Sequence, residues 1–445
     1  MMKLFGTDGI RAVAGLSPLD HITVYRIGSA LTRVLGKKEK SSWILIGRDT
    51  RQSGAWLEKI LFQGIRDAGG HALSVGVIPT SAVSYLTKKH AFSAGIVISA
   101  SHNPFEYNGI KIFDSSGRKI PEIWEKEIEI ESFQSSHHPP SHIASPPSSP
   151  ELGEEYLGFL QDRFRASSRT RLKLVADCSY GAASAYAGRI FSSLGFDVHS
   201  ICDQPNGKNI NLSCGSLHPQ LLMKEVISRS ADLGVAYDGD ADRVLWVDEQ
   251  GRLLNGDHTL LILARHFQKE NRMASDTVVG TIMTNLALEL NLGEYGLKLH
   301  RSQVGDKYVL EDMIRLRCNL GGEQSGHTIL LDDCPTGDGI LTSLRMIEVL
   351  SSEGASMSEL AAGYQEFPQI IVNVPVARKD DFRKYPDIIQ VLRKSEQDLG
   401  QTGRLNLRYS GTEPLARVMV EGRDREQIES LARRIAAAVE NNLNP

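Results

Sequence analysis

Apolar strand-like segments alternate with helical segments through most of this chain, and that alternation limits the folds open to it. The clearest example lies near the N-terminus, where residues 43–47 and 72–78 are short apolar runs on either side of a helical pattern at 54–68. Two strands joined by a helix predict a parallel or mixed sheet that helices cover. Similar patterns begin at about residue 172, with a helix expected over 181–194, and at about residue 254, so we expect a repeated α/β fold.

The last part of the chain has a different pattern. After residue 369 the order is strand, helix over 382–399, strand, strand, helix, which is typical of a smaller α+β domain. A length of 445 residues suits three or four domains. We therefore predict three similar α/β domains with mixed sheets and a C-terminal α+β domain, with bounds at 1–150, 151–253, 254–368 and 369–445.

One compositionally biased segment ends the first predicted domain. Residues 134–150 are rich in Pro and Ser and contain three histidines. Because proline prevents regular structure and the segment has little to bury, we predict a surface linker. Metal binding by the histidines is the alternative, and a solvated linker is the interpretation we prefer.

Composition excludes several classes of function. The net charge of −4 lacks the basic footprint that nucleic-acid binding requires. The N-terminus has no signal-peptide pattern and no apolar run approaches the ~20 residues of a membrane span, so we expect a cytoplasmic protein that binds no membrane. Five cysteines without a CxxC pair are expected to be reduced packing residues. They are Cys178, Cys202, Cys214, Cys318 and Cys334.

A serine follows the apolar run that ends near residue 98. Small residues lead to Ser101, and Asn103-Pro104 then predicts a turn that stops the strand. A compact hydroxyl beside His102, with Lys111 one turn later, suits a serine that accepts and donates a chemical group. The alternative is an ordinary strand end followed by a turn.

Three aspartates form the strongest local signal. Asp238, Asp240 and Asp242 alternate with small residues, so an extended backbone places all three carboxylates on one face. Three adjacent carboxylates repel one another unless a cation neutralises them, and oxygen ligands suit Mg²⁺. An EF-hand is disfavoured because Arg243 stands where its sixth-position glycine is needed, although Glu249 falls at the twelfth position. A solvated acidic hairpin is the other alternative.

A turn near the C-terminus fits a phosphate. Arg408 can bind a phosphate bidentately, and Ser410, Gly411 and Thr412 can add backbone N–H groups and two hydroxyls. The alternative is a hairpin turn with a surface arginine.

Two further turns carry polar groups. Residues 3–11 form a glycine-containing loop with Arg11 that is able to face an anion, or a plain N-terminal turn. Residues 322–327 offer Glu323, Gln324, Ser325 and His327 on a flexible turn, a set that suits sugar hydroxyls but is weak by itself. The chain has no G-x-x-x-x-G-K-[ST], G-x-G-x-x-G or G-x-S-x-G motif, which argues against a P-loop enzyme, a dinucleotide oxidoreductase and an α/β-hydrolase.

Four motifs together resemble those of the α-D-phosphohexomutases, in the same order and spacing and across essentially the whole chain. They are Ser-Ala-Ser-His-Asn-Pro at 99–104, Asp-Gly-Asp-Ala-Asp-Arg at 238–243, Gly-Glu-Gln-Ser-Gly-His at 322–327 and Arg-Tyr-Ser-Gly-Thr-Glu-Pro at 408–414. The motif at 5–11, with Gln324, looks most like the bacterial branch that acts on glucosamine phosphates. The resemblance implies a four-domain phosphohexomutase-like architecture around a central cleft, with one motif from each domain.

The resemblance also implies a role for each motif residue. Ser101 would be a phosphoserine, and one Mg²⁺ would bind Asp238, Asp240, Asp242 and a phosphoserine oxygen. Arg11 and Arg243 would steady that phosphate, with His102 and Lys111 as candidates for proton transfer. Glu323 and Ser325 would bind sugar hydroxyls with His327 close by, and Arg408, Ser410, Gly411 and Thr412 would hold the non-reacting phosphate. The sequence departs from the family pattern at Ala12 and Lys307.

The implied reaction is an isomerisation. The phosphoserine would give its phosphoryl group to a hexosamine monophosphate, and a sugar bisphosphate would return its other phosphate to Ser101. The partner is then a small-molecule hexosamine phosphate, and the protein a monomer or homodimer. The alternatives are the glucose- or mannose-phosphate branch of the family, a metal-dependent sugar phosphatase and, more weakly, a phosphosugar-binding protein. The turn at Arg408 favours a mutase over a phosphatase.

Overall fold

The computed structural model describes residues 3–6, 8–37, 42–165, 172–410 and 414–444. The chain forms two compact units. The first comprises Met1–Thr281 with His300–Ala362, and the second comprises Ile282–Leu299 with Gly363–Pro445. None of the helices in the described residues is long and apolar enough to cross a membrane.

The first α/β region holds a five-stranded mixed sheet of order β1-β5-β4-β2-β3, in which β2 is parallel to β3 and β4 while β5 is antiparallel to β4 and β1. Its elements are β1 (Ile10–Val13), α1 (His21–Gly36), β2 (Trp43–Arg48), α2 (Gly54–Asp67), β3 (His71–Val77), α3 (Thr80–Lys89), β4 (Ala94–Ile98), β5 (Tyr107–Asp114) and α4 (Glu122–Gln134).

The second region repeats this arrangement, with sheet order β10-β9-β8-β6-β7. Its elements are α5 (Glu151–Arg163), β6 (Lys173–Asp177), α6 (Ala187–Ser193), β7 (Asp197–Ile201), α7 (Gln220–Arg229), β8 (Leu233–Tyr237), β9 (Val244–Asp248) and β10 (Leu253–Leu254).

The third sheet has the order β12-β11-β13-β14. The elements of this stretch are α8 (Gly256–Lys269), β11 (Thr277–Thr281), α9 (Leu286–Glu294), β12 (Lys298–Ser302), α10 (Asp306–Leu316), β13 (Leu320–Gly322), β14 (Thr328–Leu330), α11 (Gly339–Glu353) and α12 (Met357–Leu360). Helix α9 belongs to the second unit.

The second unit also holds the C-terminal elements, where β17 pairs antiparallel with both β15 and β16. They are β15 (Gln369–Pro375), α13 (Pro386–Leu399), β16 (Gly403–Tyr409), β17 (Leu415–Gly422) and α14 (Arg425–Leu443).

The predicted repeat is confirmed by the strand order. In the first two sheets one strand, β2 or β6, lies between two parallel neighbours, and an antiparallel strand follows on one side. In the third sheet β11 lies between β12 and β13, and β14 is antiparallel to β13. The prediction of α/β domains with mixed sheets and an α+β C-terminal part is therefore confirmed. The exact domain bounds stay a prediction.

Close helix packing explains two glycines in the first region. A Cβ at Gly64 of α2 would lie 2.0 Å from the carbonyl oxygen of Tyr25, and one at Gly28 of α1 would lie 2.4 Å from that of Leu61. These helices therefore pack backbone against backbone. Asp20 caps α1 by accepting hydrogen bonds from the Ile22 and Thr23 amides.

The structure corrects several local predictions. Residues 3–11 are not a plain loop, because Ile10 and Arg11 begin β1 and pair with β5. The helix predicted at 181–194 is interrupted at Tyr186, whose φ of −122° separates a 3₁₀ turn from α6. The helix predicted at 382–399 begins only at Pro386, which takes the first helical position. Helices α3, α4, α5 and α11 were not predicted.

The segment at 134–150 is also more firmly attached than predicted. Beyond Gln134, which ends α4, the segment has no helix, but Ser74 of β3 donates its amide to the carbonyl of Pro147 and accepts from the amide of Ser149 through its carbonyl, each at 2.8 Å. Ile143 and Ala144 pack against the core of the first region. None of residues 134–150 is buried and most are exposed, which agrees with the predicted surface linker. Its histidines belong to neither candidate metal cluster in the described part of the chain.

Candidate active site

The candidate site begins where β4 ends. Ser101 lies in the loop after this strand with a φ of 52°, and it is 1% exposed. Its hydroxyl donates to Asp238 Oδ2 at 2.5 Å, and its Oγ lies 3.3 Å from His102 Nδ1. The Ser99 hydroxyl accepts the Ser101 amide at 2.9 Å. The strand end predicted to present Ser101 therefore presents it directly to the aspartate loop.

Arg51 holds this serine loop in place, and sequence reasoning gave it no role. It is fully buried in the loop after β2, the parallel neighbour of β4. Its guanidinium donates to the carbonyl oxygens of Ser101 at 2.9 Å, Asn103 at 2.8 Å and Pro104. Its Nε pairs with Asp49 at 2.9 Å. One planar cation thus fixes three carbonyls of a strained turn.

The three aspartates lie after β8, and their carboxylates come within 4.8 Å of one another. Asp238 and Asp240 are fully buried and Asp242 is 5% exposed, which rules out the solvated hairpin. Strands β8 and β9 flank the loop, which rules out the EF-hand. Burial, followed by the charges of Asp242 and Asp240, raises the pKa of Asp238 well above its ordinary value.

This loop fits a hard divalent cation. Asp240 Oδ1 and Asp242 Oδ1 are buried and have no hydrogen-bond partner among the described residues. Buried carboxylate oxygens without donors carry a large desolvation cost unless a cation is bound. Gly239 lets the aspartate loop approach the serine loop, because a Cβ there would lie 2.5 Å from the Ser101 carbonyl oxygen.

Lys111 reaches the same carboxylates from β5. Its Nζ lies 2.8 Å from Asp240 Oδ2, 3.0 Å from Asp242 Oδ2 and 3.4 Å from Asp8 Oδ2. Burial alone would lower the pKa of Lys111, but Asp240, Asp242 and Asp8 outweigh it and hold this pKa well above its ordinary value. Lys111 is therefore an ammonium whose charge is held by these carboxylates.

Two arginines and a histidine border Ser101. His102 Nδ1 lies 3.3 Å from Arg243 Nη1, and Arg11 donates to the side-chain oxygen of Asn103 at 3.3 Å. Burial, then the charges of Arg243 and Arg11, lowers the pKa of His102 to about 4. The histidine is consequently neutral near pH 7 and surrounded by cations that suit a phosphate.

The polar turn at 322–327 lies next to the aspartate loop. The Val244 amide donates to the carbonyl of Gly326 at 3.2 Å, so this turn and the start of β9 are joined. Glu323 accepts from the Ser325 hydroxyl at 3.1 Å. His327 Nε2 accepts the Gly337 amide at 3.2 Å. The structure thus brings the serine, aspartate and 322–327 turns together within the first unit.

A row of alternating charges extends from Lys111 and was not predicted. Asp8 pairs with Lys111 and Lys119, and Lys119 Nζ lies 2.7 Å from Asp306 Oδ1. Asp306 Oδ2 in turn lies 3.7 Å from His327 Nε2. These residues come from distant parts of the chain, so no local motif announces them.

The turn after β16, which the sequence predicts to bind a phosphate, lies in the second unit. Arg408 of β16 is the register partner of Arg417 in β17, and burial, then the charge of Arg417, lowers the pKa of Arg408. Lys379 donates to the Ser410 carbonyl at 2.6 Å. Three cations around one turn suit an anion. The predicted partners Gly411 and Thr412 lie outside the described residues.

The repeated sheets and the buried serine beside three aspartates define a phosphohexomutase-class enzyme. Comparison with family models agrees over most of the chain. The phosphoglucomutase/phosphomannomutase models match as alpha/beta/alpha domain I at residues 2–138, domain II at 154–251, domain III at 255–367 and the C-terminal domain at 371–438. The chain belongs to the phosphoglucomutase/phosphomannomutase family.

Curated relatives lie in one branch of this family. The chain is 44% identical to the phosphoglucosamine mutase of Koribacter versatilis (strain Ellin345), over 98% of this chain and 96% of the relative. It is also 44% identical to that of Solibacter usitatus (strain Ellin6076), over 99% of each.

Solved structures share the fold. A phosphoglucomutase/phosphomannomutase family protein from Burkholderia thailandensis superposes with a TM-score of 0.82 at 22% identity, covering 98% of this chain and 97% of that one. The N-acetylphosphoglucosamine mutase of Aspergillus fumigatus, solved with GlcNAc-6P and magnesium, gives 0.71 at 18% identity, covering 99% and 96%.

Proposed function

We propose that this protein is a phosphoglucosamine mutase that interconverts glucosamine 6-phosphate and glucosamine 1-phosphate. The product would supply amino sugar for UDP-N-acetylglucosamine and cell-wall synthesis. Full-length identity of 44% to two curated phosphoglucosamine mutases supports the choice of substrate. The observation that carries the reaction type is the buried Ser101 hydroxyl, 2.5 Å from one of three clustered aspartates.

In this proposal Ser101 carries the transferred phosphoryl group as a phosphoserine. Asp238, Asp240 and Asp242 would hold one Mg²⁺ together with a phosphoserine oxygen. When bound, Mg²⁺ supplies positive charge that stabilises phosphoryl transfer. Arg11 and Arg243 add positive charge beside Ser101, and both guanidiniums have a buried Nε without a hydrogen-bond partner among the described residues.

Proton transfer falls to groups close to Ser101. Lys111 stays a candidate for proton transfer, although its raised pKa favours a role in which the ammonium supplies positive charge. Neutral His102, with its Nδ1 3.3 Å from Ser101 Oγ, is able to accept a proton. Positioning of these groups matters because phosphoryl transfer relies on alignment and charge neutralisation.

The remaining motif residues are assigned to the substrate. Glu323 and Ser325 would bind sugar hydroxyls, with His327 beside them. Arg408, Ser410, Gly411 and Thr412 would hold the phosphate that is not reacting. A sugar bisphosphate would then form, turn over and return its other phosphate to Ser101. We further propose a cytoplasmic monomer or homodimer that acts on small molecules.

A sugar phosphatase is the chief alternative. It would need water as the acceptor and no second phosphate site, whereas Arg408, Arg417 and Lys379 place three cations around one turn that suits a second phosphate. Incubation with glucosamine 6-phosphate, with assays for both its 1-phosphate and free phosphate, separates the two. Isomer in large excess over free phosphate is expected, and free phosphate as the main product would refute a mutase.

The same assay tests which sugar phosphate the enzyme prefers. We expect kcat/KM for glucosamine 6-phosphate to exceed the values for glucose 6-phosphate and mannose 6-phosphate under identical conditions, because a site that binds a particular substituent rejects analogues lacking it. An equal or higher value for either hexose phosphate would place the protein in that branch and leave the serine mechanism intact.

A further inference from the structure

A second cluster of ligand-type side chains lies at the carboxyl edge of the second sheet. Asp177 ends β6, Cys202 follows β7 directly, and Cys214 precedes a 3₁₀ turn. A carboxylate oxygen and the two sulfur atoms lie within 4.8 Å of one another. No function has been assigned above to any of the three, and the sequence predicted only packing roles for the cysteines.

Asp177 is the buried carboxyl group of this cluster. Its side chain is fully buried, and it forms no ion pair within the described residues. Its Oδ1 accepts the Ser179 amide at 2.9 Å, and its Oδ2 accepts the Gly215 amide at 2.8 Å. Buried carboxylates are ordinarily paired with a cation or bound to a metal. The two amides orient this carboxylate as groups behind a metal ligand do.

The two cysteines provide soft ligands beside that carboxylate. Their sulfur atoms and a carboxylate oxygen of Asp177 lie within 4.8 Å of one another. Cys214 is buried, while Cys202 is partly exposed, so an ion can enter from the Cys202 side. Two thiolates and a carboxylate form a three-ligand set that suits Zn²⁺, with water in the fourth position.

We propose that Asp177, Cys202 and Cys214 form a binding site for a zinc-class divalent cation, separate from the three-aspartate site. The ion would tie the ends of β6 and β7 to the segment that contains Cys214. This segment also carries Asn211, whose amide donates to the Ser179 carbonyl at 2.8 Å and whose side chain donates to the carbonyls of Ser101 and Asn103. The site would therefore stiffen a support of the serine loop.

Cobalt titration of the reduced, full-length protein tests the proposal. Excess Mg²⁺ is present so that it occupies the three-aspartate site. Co²⁺ bound at that site would give no thiolate-to-cobalt absorption, because its ligands are all oxygen atoms. We expect this near-ultraviolet absorption to saturate at one equivalent of Co²⁺ and to disappear when Zn²⁺ is added. Cys202→Ser should abolish it. Cys318→Ser, which changes a cysteine outside the cluster, should leave it unchanged.

A second measurement needs no variant. Zn²⁺ should slow alkylation of Cys202 in the wild-type protein by at least about tenfold, because a metal-bound thiolate is masked. Absence of thiolate-to-cobalt absorption in protein whose thiols are verified as free would overturn the proposal. So would absorption that persists in Cys202→Ser, or a Cys202 that reacts equally fast with and without Zn²⁺.

Discussion

Arg51→Lys is the substitution that best tests how the serine loop is held. Lysine keeps the positive charge beside Asp49 but loses the planar fork that reaches the carbonyls of Ser101, Asn103 and Pro104. The charge stays buried and the backbone is unchanged. Any decrease in the free energy of unfolding therefore reports the hydrogen bonds that only the planar guanidinium can form.

The expected loss follows from which carbonyls keep a partner. Those of Ser101 and Asn103 also accept from the Asn211 side chain, so each forfeits only a net hydrogen bond of about 1 kcal/mol. The carbonyl of Pro104 also keeps a second donor, the Tyr107 amide at 3.1 Å, so it too forfeits only about 1 kcal/mol. Three net hydrogen bonds are lost and lysine restores one, so we expect the free energy of unfolding to fall by about 2 kcal/mol.

Tryptophan fluorescence during urea unfolding is the appropriate assay. Trp43, Trp56, Trp124 and Trp246 are the chain's four tryptophans, and all lie in the first unit, which contains Arg51. Arg383→Lys is a matched control, because the Arg383–Asp381 pair is exposed and its replacement should leave the unfolding curve unchanged. Mutase activity should fall at least about tenfold in Arg51→Lys. A free energy of unfolding within about 1 kcal/mol of wild type would refute this account of the loop.

Three further substitutions test other parts of the site. Asp240→Asn should raise the Mg²⁺ concentration for half-maximal activity by about tenfold or more, because one hard anionic ligand is lost; an unchanged metal titration would argue against the aspartate site. Gly337→Ala should lower activity and cost about 1–3 kcal/mol of stability by overpacking, since its Cβ would lie 2.5 Å from His327 Nε2. Gly158→Ala, whose Cβ meets nothing within 4 Å, serves as its control, and equal behaviour of the two would contradict the prediction. Arg408→Ala should raise KM by roughly tenfold or more, because one charge-assisted hydrogen bond contributes about 1.5–3 kcal/mol; unchanged steady-state kinetics would show that this turn does not hold phosphate.

The sequence was informative wherever one short segment carries a complete signal. The aspartates are two residues apart, so their common face follows from the period of an extended backbone. Ser101 follows an apolar run that had to be a buried strand. The break in the helix predicted at 181–194 left no such signal, because it depends on the backbone conformation of Tyr186.

The supporting charges were beyond local reasoning because they are assembled from distant segments. Asp8, Lys119 and Asp306 are unremarkable in sequence and become a charge row only when β1, β5 and α10 approach one another. Arg51 did leave a signal. It lies just after β2, and β2 is the parallel neighbour of β4, so both loops emerge at one edge of the sheet. Sheet order, which the sequence leaves open, was the missing information.

The most direct test of the central claim is a chase of labelled phosphoenzyme. The protein carrying radiolabelled phosphate on Ser101 is mixed with excess unlabelled glucosamine 6-phosphate, and the label is followed through quenched time points. The account predicts that label leaves the protein and enters sugar bisphosphate and monophosphate, with little free phosphate, and that Ser101→Ala takes up no label and loses activity by orders of magnitude. Label released chiefly as free phosphate, or near-normal turnover by Ser101→Ala, would contradict it.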